Sequence, residues 1–393
     1  MPALYASFLG LLTQVGFALL TCGLVRKKNA AHLVMLTFSA YVFAFLAYYT
    51  IGYAFQSGFR GFFFKGVSSD ERLLVDVAFM LVAGYVLVGA VCERITFRAF
   101  VLCELFLGGV LYPVFAQWVW GGGWLSRIGS SLGLAHGFVD FGGSSVVHEL
   151  GGFCAMALAI VLGPRLGKYG HDGQPRPFLA HNIVFVTSGT VVVLVGWTAL
   201  IAGSSADAAL AARIAINTNI AAVAGAAAAM LFWYWSYGKP DISMACNGML
   251  AGLVGMSAAA PFVGPNAALI IGAVAGVLAS AGVLLNERTL RIDDPCGSIA
   301  VHGYCGCWGA IAVGFFADGT HQSVTGLFHG DWKQLVAQLL GTTVCALFAF
   351  ALTLAVFAAV NRTSPMRVEP DIEAEGIDLN EFGMLAYPED DGV

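Results

Sequence analysis

Asp140-Phe141-Gly142-Gly143-Ser144-Ser145-Val146-Val147-His148-Glu149-Leu150-Gly151-Gly152 returns later in the chain as Asp294-Pro295-Cys296-Gly297-Ser298-Ile299-Ala300-Val301-His302-Gly303-Tyr304-Cys305-Gly306. The shared pattern is Asp-x-x-Gly-Ser-x-x-Val-His-x-x-x-Gly, six matches in thirteen positions at a separation of 154 residues. Gly and Val matches mean little in a Gly-rich apolar chain, so the Asp and His matches carry the comparison. Each copy opens a hydrophobic run and puts a histidine where a membrane span normally excludes one.

Composition supplies the setting. Of the 393 residues 58% are hydrophobic and 11% charged, and the apolar runs are about 20 residues long, enough to cross a bilayer. An all-α, polytopic membrane protein follows, with the lipid bilayer as a partner and no nucleic-acid partner expected. Apolar stretches at about 4–25, 31–53, 73–92, 99–119, 144–162, 180–202, 210–235, 243–260, 265–285, 298–317 and 334–360 predict eleven transmembrane helices. The first has no cations ahead of it and Arg26, Lys27 and Lys28 behind it. It reads as a helix with its N-terminus outside rather than a cleaved signal peptide. In that orientation 13 of the 19 Lys and Arg fall in cytoplasmic segments, which supports the layout and a cytoplasmic C-terminus.

The repeat then acquires a direction. Its copies begin the fifth and tenth spans, so they run oppositely through the bilayer and predict inverted five-helix repeats, about 4–164 and 180–318, followed by a helix at 334–360 and an acidic tail at 361–393. Transporters built on such repeats keep their functional site near the midplane, where equivalent elements meet. His148 and His302 each lie about four residues into their spans from opposite faces, which brings both toward the middle. A facing pair of imidazoles offers a donor and an acceptor along a narrow path; helix capping or interhelical bonding is the structural alternative. Asp140 and Asp294 precede span starts and read as caps of exposed helix N–H groups. Asp140 would also make a neighbouring vestibule attractive to a cation.

Other polar motifs weaken on inspection. His148-Glu149-Leu150-Gly151-Gly152 begins like the zincin motif His-Glu-x-x-His but lacks the second histidine, and the nine cysteines include no Cys-x-x-Cys pair. Neither a metal site nor a cofactor is expected, and no nucleophile constellation of an enzyme is found. His32, His136, His171, His181, His321 and His329 fall near loops or span ends, where surface exposure is expected.

Gln14-Val15-Gly16-Phe17-Ala18 with Gly23-Leu24-Val25-Arg26-Lys27-Lys28-Asn29, then Glu93-Arg94-Ile95, Trp120-Gly121-Gly122-Gly123, and the two repeat copies with Asp293 ahead of the second, resemble the ammonium transporter (Amt/Rh) family in the family's own order, over roughly residues 5–388. The resemblance implies a homotrimer of eleven-helix protomers in a bacterial cytoplasmic (inner) membrane, with ammonium or ammonia as ligand. It implies an external recruitment site at Phe79, Trp120 and Ser204, with Asp140 and Asp76 supporting the vestibule. It also implies a gate at Phe79 and Leu200 and a pore past His148 and His302. Aromatic faces attract a desolvating cation, and a hydroxyl acceptor distinguishes ammonium from potassium because only ammonium donates a directed hydrogen bond.

The chain departs from the family in three places. Leu200 stands where a second gate Phe is usual, followed by Ile201 where Asn is common; Asp76 occupies a position that is often Gln. In the tail, Gly376-Ile377-Asp378-Leu379-Asn380 and Ala386-Tyr387-Pro388 match the family, but Glu381-Phe382-Gly383-Met384 replaces the usual His-Gly-Glu. Residues 361–393 carry two cations and nine anions, net −7, and the run Glu389-Asp390-Asp391 reads as a solvated end. These departures place ammonium sensing, with signalling through the cytoplasmic C-terminus, ahead of conduction as an ammonium transporter. The partner implied for a sensor is a cytoplasmic signalling domain after Val393, or a regulator of the PII type.

Overall fold

The computed structural model describes residues 2–67 and 69–388. Ten helices long and apolar enough to cross a membrane occur among the described residues: α1 (Leu4–Leu24), α2 (Lys27–Gln56), α3 (Arg72–Val91), α4 (Phe97–Leu132, interrupted at 120–123), α5 (Ser144–Leu162), α6 (Ile183–Gly203), α7 (Ala208–Tyr237), α9 (Pro265–Leu290), α10 (Ile299–Phe316) and α11 (Trp332–Thr363). The stretch expected as the eighth span forms a shorter apolar helix, α8 (Ile242–Ser257). Two short helices follow, α12 (Pro370–Glu375) and α13 (Ile377–Phe382). Backbone pairing outside helices is limited to isolated bridges among the described residues, such as Ile95 with Arg367.

A polar residue ahead of an apolar run sets several helix starts. Thr96, Asn182, Asp207 and Asp241 each accept from the backbone N–H three residues on, which satisfies a donor that has no partner inside the helix.

The repeat marks where α5 and α10 depart from regular winding. Ser144–Glu149 and Ile299–Tyr304 are π-helical, a wider turn that often accompanies functional residues. Asp140 accepts from the N–H groups of Gly143, Ser144, Ser145 and Val146, all at 2.9 Å. Asp294 does the same for Ser298 at 3.0 Å and Ile299 at 2.7 Å. The repeated glycines that follow, Gly143 and Gly297, have φ of 87° and 75°, where a side chain would be strained. The last repeated glycine marks a crossing. A Cβ on Gly152 would lie 2.2 Å from the Gly303 nitrogen, and one on Gly306 would lie 2.5 Å from the Ser144 carbonyl oxygen. The two π segments therefore cross backbone against backbone, each copy's glycine receiving the other's main chain.

Where α5 ends and the approach to α10 begins, an ion cluster joins the two segments. Arg165 donates to Asp293 from its backbone N–H and its guanidinium, at 2.8–2.9 Å, and also pairs with Glu93. Glu93 further accepts from Arg26 Nε at 2.7 Å and Asn29 Nδ2 at 2.8 Å. Burial raises both carboxyls, but the arginines outweigh it and hold Glu93 and Asp293 below the usual carboxylate range.

The tail lies on this end of the fold. Asp378 accepts from the N–H groups of Ala31 at 2.9 Å and His32 at 2.7 Å, at the start of α2. Ile377 N donates to Asn29 Oδ1 at 3.0 Å, and Phe97 N donates to Glu381 at 3.0 Å. His32, expected at the surface, is fully buried, because the Phe382 ring packs beside it with centroids 5.9 Å apart. His136, His171 and His329 are exposed, and His181 and His321 are half-buried. The acidic run at 389–391 lies outside the described residues.

Candidate functional site

One cavity, of about 230 Å³, opens at the α3 N-terminal end of the fold and is lined by Phe79, Trp120, Asp140, Ser204, Arg72 and Phe262, among others. It gathers four of the residues named from sequence. The rings of Phe79 and Trp120 lie with centroids 5.5 Å apart and planes at 48°. Trp120 Nε1 donates to the Asp140 backbone oxygen at 2.6 Å, which fixes the indole against the cap of α5. Ser204 Oγ donates to the Leu200 carbonyl at 3.0 Å, so its own lone pairs remain available to accept. The Asp140 carboxylate is occupied by its four backbone donors. Burial pushes its carboxyl up, and those N–H bonds offset the rise without cancelling it. Asp140 therefore contributes charge and position, with its carboxylate oxygens already engaged.

Leu200 is buried one turn before Ser204 in α6, and Ile201 beside it is buried as well. Trp197, three residues before Leu200, lies flat on His148, with centroids 4.4 Å apart and planes at 16°. The two histidines meet at the crossing of the π segments, Nδ1 to Nδ1 at 3.1 Å. Neutral imidazole holds one donor and one acceptor nitrogen, so this contact requires opposite tautomers on the two rings. The Phe17 ring stands 6.0 Å from His302 and stacks on Tyr85 at 6.0 Å.

On the other side of His302, a gap of about 10 Å³ is lined by Phe17, Tyr85, Asn247, Cys296 and His302. Asn247 and Cys296 also line a larger cavity of about 410 Å³, together with Arg165, Lys168 and Asp294. Asp294 at this end is the partner of Asp140 at the other, and burial pushes its carboxyl up to about 7. The gap and the second cavity thus share Asn247 and Cys296, and His302 joins the gap to the imidazole pair. No cluster of three or more His, Cys, Asp or Glu suited to a metal occurs among the described residues.

The model of the Ammonium Transporter Family matches residues 2–387. The chain belongs to that family. Among family members, the ammonium transporter Amt2 of Archaeoglobus fulgidus is 39% identical, with 98% of this chain and 87% of that protein covered. The ammonium transporter of Bacillus subtilis is 32% identical over 98% of this chain and 96% of its own length. Among solved structures, a sensor Amt protein superposes with a TM-score of 0.90 at 30% identity, covering 97% of both chains. Candida albicans Mep2 superposes with a TM-score of 0.84 at 28% identity, over 94% of this chain and 86% of that one. The two sequence relatives are ammonium transporters, not enzymes.

Sequence reasoning overlooked three side chains of this site, Trp197, Tyr85 and Arg72. Trp197 had a usable signal: 197, 200 and 204 fall on one face of a helix, so the residue sharing a face with Leu200 and Ser204 also faces the path.

Proposed function

We propose that this chain takes up ammonium from outside at the Phe79, Trp120 and Ser204 cavity and conducts it inward, as ammonia with its proton moved separately, past His148 and His302. The paired imidazoles carry this reading, with the Ser204 cavity reached along Trp197, Leu200 and Ser204 of one helix and the gap beside His302 sharing Asn247 and Cys296 with the second cavity. A bare cation entering a dry apolar passage meets a large desolvation penalty, whereas neutral ammonia does not. In this reading the two aromatic faces and the Ser204 hydroxyl receive the ion, and the proton leaves before the Leu200 constriction. The imidazole pair then accepts from and donates to the passing ammonia. The finer architecture proposed with it is an eleven-helix protomer with α8 counted as a span, the N-terminus outside, the C-terminus in the cytoplasm, and three protomers in a bacterial inner membrane.

Ammonium sensing is the second reading. Leu200 and Ile201 in the gate and the non-family stretch Glu381-Phe382-Gly383-Met384 favour it, as does likeness to the sensor Amt protein over 97% of both chains. In it the docked tail reports occupancy of the cavity to a cytoplasmic signalling domain or to a PII-type regulator.

The test is the transient current of purified protein in liposomes on a solid-supported membrane after an ammonium jump, with thermal shift recording binding. A saturable current absent with potassium supports conduction. Ammonium stabilisation without current transfers the function to sensing, and absence of both rejects ammonium recognition.

A further inference from the structure

We propose that Asp76 is a direct partner for the incoming cation, and that Arg72 occupies this carboxylate until the cation displaces it. The inference rests on the reading that ammonium enters at the Phe79 cavity.

Residues 72, 76 and 79 are spaced i, i+4, i+7 on α3 and so form one stripe. Arg72 and Phe79, the ends of that stripe, both line the cavity, while Asp76 is not among its lining residues and meets it through Arg72. Asp76 lies between them, one turn from each. Its residue is 5% exposed, and its Oδ1 makes no hydrogen bond. Among the described residues, the salt bridge to this carboxylate comes from Arg72 Nε, 3.2 Å from that same Oδ1, and the Arg72 side chain is 58% exposed.

A buried carboxylate needs a partner that is both charged and well hydrogen-bonded. An arginine that reaches in from solvent with one poorly directed N–H meets the first need and not the second, and such exposed pairs contribute little. The remaining acceptor capacity of Asp76 is therefore unspent. The Tyr112 hydroxyl is likewise buried without a hydrogen-bond partner.

Ammonium fits what Arg72 leaves unmet. It is small enough to pass the aromatic pair and carries four directed donors, so it can bond Asp76 while its remaining N–H groups face Ser204 and the rings. Potassium offers charge without direction. Guanidinium release into solvent is inexpensive for a side chain already more than half exposed. The exchange makes Arg72 an internal competitor that sets how much ammonium is needed to fill the cavity. It also makes the pair a discriminator, because a cation must replace the guanidinium before the carboxylate is available.

The experiment is calorimetric titration of the intact purified protein with ammonium chloride at constant ionic strength. It is repeated for Arg72→Gln, Asp76→Asn and the double variant, with potassium chloride as the competing salt. Arg72→Gln is expected to tighten ammonium binding about threefold or more and to make potassium a better competitor. Asp76→Asn is expected to weaken binding about tenfold, and the double variant to match Asp76→Asn alone, because Arg72 acts through Asp76. Equal tightening by Arg72→Gln in both backgrounds would mean that Arg72 acts only through its field, and overturns the exchange. Arg72 is exposed, so its variant reports even where the buried substitution prevents folding; unchanged affinity and unchanged potassium competition in Arg72→Gln also overturn the proposal. Saturable binding by the unmodified protein that neither variant alters removes the Asp76 assignment and leaves the cavity standing. No binding by the unmodified protein removes both.

Discussion

His148 Nδ1 stands 3.1 Å from His302 Nδ1, and the two rings belong to equivalent positions of the repeat. A hydrogen bond there places the remaining proton of one ring on Nδ1 and of the other on Nε2, so the twofold relation of the backbones is broken at the protons. Each imidazole can thus present a different face to a small amine.

His148→Ala is expected to lower the ammonium current by about a hundredfold, the lower range for losing a proton-handling side chain. Ammonium stabilisation in thermal shift should persist, because Phe79, Trp120 and Ser204 lie in a cavity that His148 does not line. Lost binding with a correctly folded variant would move the principal ammonium site into the passage.

Trp197 holds His148 in place from above. Its ring covers the imidazole and its Nε1 donates to Ser257 Oγ at 3.3 Å. Trp197→Leu removes the covering ring from a buried position and leaves space beside the histidine. The expected loss of stability is about 3 kcal/mol, seen as a lower melting temperature, with the current falling more than the fraction of folded protein does. A current that follows folded protein alone would limit Trp197 to a packing role.

The repeat made much of this legible before any coordinates. Asp140, Gly143, His148 and Gly152 recur because a cap, a left-handed turn, a paired imidazole and a backbone crossing each admit few residue types. Trp197 and Tyr85 carried no such mark: an aromatic in an apolar helix looks the same whether it faces lipid, a neighbour or a passage. His32 begins a span and so reads as surface, yet it is buried, with Phe382, more than 300 residues later, packed beside it. In the tail, read from sequence as an acidic segment, Glu373 and Asp378 are buried against backbone donors and arginine. Charge density in sequence does not reveal a partner that is distant along the chain.

The ion cluster predicts an acid limit to stability. Glu93 and Asp293 have depressed carboxyl pKa values in the folded chain, so their contribution is fully present above the unfolded value of about 4 and is lost as pH falls through the folded values. Glu93→Gln leaves Arg165 and Arg26 with one fewer counter-charge in a buried site, at an expected cost of about 3 kcal/mol. Melting curves from pH 7 down to about pH 3 should show the variant losing less on acidification than the unmodified protein, because one of the titrating groups is gone. Parallel curves would exclude Glu93 as a source of acid sensitivity.

The tail is held by Asp378 acting as a cap supplied from a distant part of the chain. Its two oxygens take the N–H groups of Ala31 and His32, donors in the first turn of α2 that have no intrahelical partner. Asp378→Ala frees both donors and is expected to cost about 1–2 kcal/mol, the range of a lost N-cap. That loss should appear locally. Lys28 Nζ still donates to the Glu373 carbonyl at 2.9 Å, and Arg367 still pairs with Glu373 at 2.7 Å, so α12 keeps its own attachments. The segment from Ile377 onward retains the bond to Asn29, the Glu381 and Phe382 contacts, and the Tyr387 hydroxyl 3.0 Å from His181 Nε2. Local opening is governed by the bonds broken in the segment that opens. Limited proteolysis should therefore cut the variant within 377–388 several times faster while the melting temperature of the helical bundle falls only slightly. Cleavage at the unmodified rate would show that Phe382 and Glu381 hold the tail without the cap, and a large fall in melting temperature would show that the cap supports α2 itself rather than the tail.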